Sequence, residues 1–240
     1  MTDNNQRNDS GSHSLHILRH NRFVIWTHWI IAFSSLVLII SGFGQMPFFR
    51  RHNIISLPGH SWAEQHSLFL QLHYVASAVL VGIILIHLIY HLKRKEFSLL
   101  PNLNDLFRLL PLPGNRRNQQ NPREHFKYYS NQRLSYALTG FSLLLLIVSG
   151  AIKTYKNFPG AEIRLDLLQA ANLLHSLGTY LLIASIIIHT VAVHLVKTHR
   201  PLIRGMIGGR VSRSYARKHF PRWVDHVESR EKEKDGPSSQ

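Results

Sequence analysis

The chain has 240 residues and no cysteine, which excludes disulfides, iron–sulfur clusters and any cofactor held by a thiolate. Its net charge of +15 would suit nucleic acid, but the basic residues lie between and outside four apolar blocks that a mean hydropathy of −0.07 conceals. Each block is near or above the roughly 20 residues that cross a bilayer as a helix, so little chain is left for a soluble catalytic domain.

Residues 1–20 form a polar, Asn/Ser-rich segment expected to lack order to about Leu18. His20 to Trp29 is an interfacial approach, with Trp26 and Trp29 suited to the headgroup belt. The first block, about 23–43, is too long for a signal-peptide core. It ends in Ser41-Gly42-Phe43-Gly44-Gln45 without a small-x-small cleavage site, so it is expected to stay in the protein. Residues 46–65 read as an outside loop containing Pro47, Pro58 and Trp62. The second block, about 68–92, carries His73 and His87.

In the following connection, Leu99, Leu100, Leu103, Leu106, Phe107 and Leu110 make a helical apolar stripe beside Asn104, Asp105 and Arg108. This predicts a helix over Glu96–Leu110 lying on the membrane surface or packed on the mouth of the bundle. The third block is about 134–152. The fourth, about 167–196, carries His175 and His189 and holds no Asp, Glu, Lys or Arg. In the basic tail, 201–240, Pro201 and Gly208-Gly209 break the chain into short pieces, and Glu231–Gln240 is expected to be disordered.

Basic residues crowd the N-terminal segment, the connection Lys93–Arg133 and the tail, whereas the other two connections hold few. The positive-inside rule then places both termini and the middle loop in the cytoplasm. The remaining positive charge suits anionic lipid rather than nucleic acid. The predicted fold is all-α: an integral membrane four-helix bundle over 21–200.

The histidines carry the chemistry. His73 and His87 are fourteen residues apart, as are His175 and His189. Fourteen residues climb roughly 21 Å and return to nearly the same helix face. In a hydrocarbon core about 30 Å thick, each pair puts one imidazole near each leaflet. Ionisable groups at such depth are costly and functional by default, and imidazole is an axial ligand of haem iron. Spans two and four run in the same direction, so His73 and His175 share the outer level. At the inner level His189 has two candidate partners, His28 and His87, and spacing leaves both open. His91, His194 and His199 lie at span ends, where water or headgroups reach them. Gly178, three residues after His175, suits close approach of a macrocycle or of another helix.

A histidine-lined metal or proton transporter is the alternative from another class. No Asp or Glu occurs in any block, which argues against it, and histidines fourteen apart cannot share one zinc ion.

Further motifs carry a resemblance. They are Thr27-His28-Trp29, Leu72-His73, the run Lys127-Tyr128-Tyr129-Ser130-Asn131-Gln132-Arg133, the stretch from Leu173 to Leu195, and the tail from Ile203 to Trp223 with its Gly-Met-Ile-x-Gly-x-Val-Ser-Arg pattern. From about Arg22 to Glu228 the chain resembles the cytochrome b (gamma) subunit of membrane-bound formate dehydrogenase. That subunit belongs to the four-helix di-haem cytochromes b that also serve Ni-Fe hydrogenases and thiosulfate reductase.

The resemblance implies two haem b groups, the inner held by His28 and His189, the outer by His73 and His175. It implies that quinone, menaquinone or ubiquinone, binds near Asn131 and Gln132. Tyr129 and Asn131 depart from the family's Asn and Gly at those positions. The implied chain is not an enzyme on its own. It is an electron-transfer subunit and anchor in the bacterial inner membrane, partnered by an iron–sulfur subunit and a molybdenum or tungsten catalytic subunit. The same role for a Ni-Fe hydrogenase or thiosulfate reductase is the alternative within the class.

Overall fold

The computed structural model describes residues 15–46, 66–95, 99–102, 105, 127–197 and 199–235. Nearly all of the loop expected over Met46–Gln65, most of the surface helix expected over Glu96–Leu110, and residues 236–240 of the tail lie outside these. In chain order the elements are β1 (His16–Leu18), α1 (Arg22–Gly44), α2 (His66–Arg94), α3 (Ser130–Tyr155), α4 (Leu165–Leu195), α5 (Arg200–Gly208), β2 (Arg210–Ser212), α6 (Arg213–His219) and α7 (Pro221–Asp235).

The four long helices, α1 to α4, are the four expected spans, and each is long and apolar enough to cross a membrane. α3 begins at Ser130, earlier than the apolar block, for a local reason. The Tyr129 N–H donates to Gln132 Oε1 at 3.1 Å, so a glutamine three residues into the helix caps its start. The helix therefore runs through the polar residues Asn131, Gln132 and Arg133.

Large apolar side chains point outward, among them Phe33 and Leu173, about 70% exposed. Many of the buried positions are small and hydroxylated, among them Ser34, Ser35, Ser41, Ser142, Ser149 and Ser185, beside a few apolar ones such as Phe69, Leu80 and Leu182. That inverts the pattern of a protein dissolved in water. With lipid as solvent, helices associate through close packing of small residues rather than by hiding leucines.

The chain divides into two compact units. One comprises Arg22–Glu96 and Ile147–His175. Within it α1 packs on α2, most closely at Gly44, where an added Cβ would come within 2.6 Å of the buried Phe69 ring. Gly44→Ala is therefore expected to cost about 1–3 kcal/mol through overpacking. Thermal unfolding in detergent would measure it, and pairing with Phe69→Leu should recover part of the loss.

The other unit comprises Met1–Asn21, Phe97–Leu146 and Ser176–Gln240. Here α3 meets α4 through Thr139 Oγ1 and Ser185 Oγ, 2.6 Å apart. Gly178 lies where a Cβ would touch Leu146 at 3.0 Å, which is the helix-packing reading of that glycine. Arg133, near the start of α3, holds Asp105 at 3.1 Å and donates from Nε to the Leu100 carbonyl at 2.9 Å. Asp105 is thus buried and paired.

The same unit contains a small module that composition does not suggest. β1 pairs antiparallel with β2, Ile17 opposite Val211. Both are buried in a core with Leu202, Ala216, Phe220, Trp223 and Val224. His16–Leu18 is therefore ordered, contrary to the expectation from its polar surroundings. The tail is broken into short elements at Gly208-Gly209, as expected; these share one core from Leu202 to Val224, and α7 continues to Asp235.

Local chemistry builds the turns of this module. Gly209, at φ +75°, ends α5 in the left-handed conformation glycine favours, and its carbonyl accepts the N–H groups of Arg19 and His20. Ser212 caps α6 by accepting the Tyr215 N–H at 3.2 Å. Arg19 is 3% exposed, donates to the Lys127 carbonyl, and lies over the rings of Phe220 at 4.4 Å and Trp223 at 5.5 Å. Burial lowers its pKa, and the ring faces offset that desolvation.

Candidate functional site

α2 and α4 each carry a histidine in their N-terminal half, His73 and His175, and both belong to the α1–α2 unit. Their ring centroids are 6.3 Å apart and their planes are inclined by 57°. Each ring is held by a buried serine from another helix. Ser41 Oγ of α1 lies 2.9 Å from His73 Nδ1, and Ser149 Oγ of α3 lies 3.0 Å from His175 Nδ1.

The tautomer of His73 follows from the serine. Ser41 Oγ reaches the Leu38 carbonyl at 3.2 Å and His73 Nδ1 at 2.9 Å, and with its one proton given to Leu38 it accepts from His73 Nδ1–H. Nε2 then carries the lone pair, which is the form a metal binds. Two metal–imidazole bonds of about 2 Å, each prolonged by roughly half a ring, add to about 6 Å between ring centres. The observed separation therefore suits one iron between the two rings.

Among the described residues no three of His, Asp or Glu converge as a ligand cluster. Two imidazoles alone are a poor cage for a bare ion. His73 and His175 would suit a haem iron, to which they would supply the two protein ligands.

The remaining predicted histidines are placed individually. His28 lies in the second turn of α1, edge-on to Trp29 at 5.5 Å. His87 lies on α2 against His91, ring centres 4.4 Å apart. His189 lies two turns before the end of α4, in the other unit.

At the start of α3, the side-chain oxygens of Asn131 and Gln132 accept backbone N–H groups, from Gln132 at 2.9 Å and Tyr129 at 3.1 Å. Their amide nitrogens are donors that a carbonyl ligand can accept from. Tyr129, where the resembling family has Asn, is 2.9 Å from His219 Nδ1 through its hydroxyl. Burial pushes the Tyr129 phenol up and the His219 imidazole down, and the same phenol is also hydrogen-bonded to Tyr215.

Four residues of the His73–His175 site escaped the sequence reading: Ser41, Gly42, Ser149 and Gly150. A Cβ on Gly42 would meet His73 Cε1 at 3.5 Å, and one on Gly150 would meet His175 Cε1 at the same 3.5 Å. A signal was present. Ile39-Ile40-Ser41-Gly42 and Ile147-Val148-Ser149-Gly150 are near-copies.

The family model described as prokaryotic cytochrome b561 matches residues 19–209. The chain belongs to that family. This cytochrome is thus one of a group of helical membrane bundles, and its family implies haem b. It is 34% identical over 113 residues to the cytochrome b556(Fdn) subunit of the nitrate-inducible formate dehydrogenase of Escherichia coli K12, 45% of this chain and 48% of that one. The cytochrome b556 subunit of Haemophilus influenzae formate dehydrogenase is 28% identical over 106 residues, 44% of this chain and 43% of that one. The cytochrome spans about half the length of these two relatives. The match to the cytochrome b556(fdo) subunit of E. coli K12 formate dehydrogenase is longer: 26% identity over 200 residues, 83% of this chain and 88% of that one.

Proposed function

We propose that this cytochrome is the di-haem b electron-transfer subunit and membrane anchor of a formate dehydrogenase complex. It takes electrons from a periplasmic iron–sulfur partner and delivers them to quinone. The observation that carries the reading is the His73–His175 pair, two imidazoles from different helices at the spacing of a shared iron. The names of the relatives supply the partner.

In this reading His73 and His175 hold the outer haem b, and His28 and His189 hold the inner one. When bound, haem b supplies reversible one-electron transfer at the iron. The protein's own residues bind and orient. The serines fix the imidazole tautomer, and the apolar outer faces of α1–α4 seat the chain in the inner membrane with both termini cytoplasmic. The amide N–H groups of Asn131 and Gln132 donate to a carbonyl of menaquinone or ubiquinone. Formate does not reach this chain. Its oxidation belongs to the molybdenum or tungsten subunit of the complex, so the cytochrome is no enzyme alone.

Pyridine haemochrome assay of the purified protein is expected to give two haem b per chain, with reduced spectra of low-spin bis-imidazole iron. Metal assay of the co-purified complex is expected to find molybdenum or tungsten. Nickel instead would assign the subunit to a hydrogenase, and a colourless protein would overturn the reading altogether.

A further inference from the structure

We infer that Ser41 and Ser149 are positioning residues that set the redox potential of the iron held by His73 and His175, by accepting the Nδ1–H of each ligand imidazole. This rests on the haem proposed at that pair.

The same three-residue arrangement is built twice. In each copy a serine and the following glycine on one helix face a histidine on another. Serine to Nδ1 is 2.9 Å in one copy and 3.0 Å in the other, and both serines are 1% exposed. The sequence separation differs, 32 residues in one and 26 in the other, so a shared hairpin length does not impose the match. Serines in apolar helices often satisfy themselves on the carbonyl three or four residues back, as Ser77 does on Tyr74 and Ser142 on Leu138. Ser41 does this too, yet its oxygen also meets His73 Nδ1. With its proton on Leu38 that hydroxyl accepts from the ring, and Ser149 is assigned the same role at the matching 3.0 Å distance.

An imidazole whose Nδ1–H is held by an acceptor is a more basic ligand through Nε2, and a ring fixed in one tautomer. Greater basicity favours the oxidised, more positive iron. Two acceptors on opposite sides add in the same direction. The glycine beside each serine lies next to the Cε1 edge of the same ring, where an added Cβ would meet it at 3.5 Å.

The test is a redox titration of purified Ser41→Ala, Ser149→Ala, Ser41→Thr and Ser149→Thr. Haem content is read by pyridine haemochrome, and the ferric low-spin signals by electron paramagnetic resonance. Each alanine variant is expected to raise the potential of one haem by about 59 mV, a tenfold change in the oxidised-to-reduced ratio for one electron, with its ferric signal displaced. The second haem should not move. The threonine variants, which keep the hydroxyl, should retain the native potential. Loss of one haem from the alanine variants but not from the threonine variants would also support the role.

Alanine variants with two haems and unchanged potentials would overturn the inference. So would loss of haem from alanine and threonine variants alike, since that marks a packing requirement. If His175→Ala leaves the haem content of the protein unchanged, the proposed function fails at this pair and the serine role falls with it. The two failures are thus distinguishable.

Discussion

Purified His175→Ala protein is expected to carry one haem per chain in place of the two proposed for the native protein, and to leave the proposed formate-to-quinone activity of its complex at background. The ring centres of His175 and His73 are 6.3 Å apart, and alanine removes one of the two proposed ligands at a place where, among the described residues, no cluster of three or more potential ligands stands. Ser149 would then face a void, but a neutral hydroxyl does not substitute for imidazole at low-spin iron. His73→Ala should give the same phenotype. The surviving haem identifies the second pair. His28→Ala should remove it and His87→Ala should not, with haemochrome stoichiometry as the measurement. Full haem content in His175→Ala would end the assignment of the outer site.

The second large effect concerns stability. Phe220→Ala is expected to destabilise the strand-and-helix module by about 3–5 kcal/mol, the usual cost of emptying a phenylalanine site in a packed core. The ring is fully buried, lies under the Arg19 guanidinium at 4.4 Å and meets the Tyr129 ring at 4.9 Å. Its loss removes apolar contact and strips a buried cation of the face it rests on. Such a sum is a large part of the about 5–15 kcal/mol that hold ordinary domains together. Amide exchange at Ile17 and Val211, whose strands pair over that core, should accelerate, and α7 should become sensitive to protease. Unchanged exchange at those two amides would refute the core as described. Phe220→Leu, which refills most of the volume, should show a smaller effect of the same sign.

The four spans were legible because lipid asks only for length and apolarity, and blocks such as Leu68–Leu92 and Leu167–Val196 supply both. The His73–His175 pairing was legible too. Both histidines lie close to the start of spans expected to run in the same direction, and the structure brings their rings together. The supporting serines were not. A serine among leucines reads as filler until a partner helix shows what its hydroxyl touches, and the repeat of Ile39–Gly42 in Ile147–Gly150 is only four residues long. β1 was hidden for a different reason. Of its three residues only Ile17 is buried, and its partner Val211 is 194 positions away, so no local pattern announces it. The tail motif from Gly205 to Arg213 was read as a marker of family, and its residues turn out to be architectural. Gly205 clears Val211, whose Cγ1 would be 3.2 Å from an added Cβ; Gly209 supplies the left-handed turn; and Ser212 caps the next helix.

The β1–β2 ladder has a consequence for how the chain is made. A strand synthesised before all four apolar helices zips onto one synthesised after them, and hydrogen-bonded ribbons do not form through hydrocarbon. The polypeptide must therefore cross the bilayer an even number of times. Should the translocon skip one crossing, the two strands would finish in separate compartments and this short ribbon could not close.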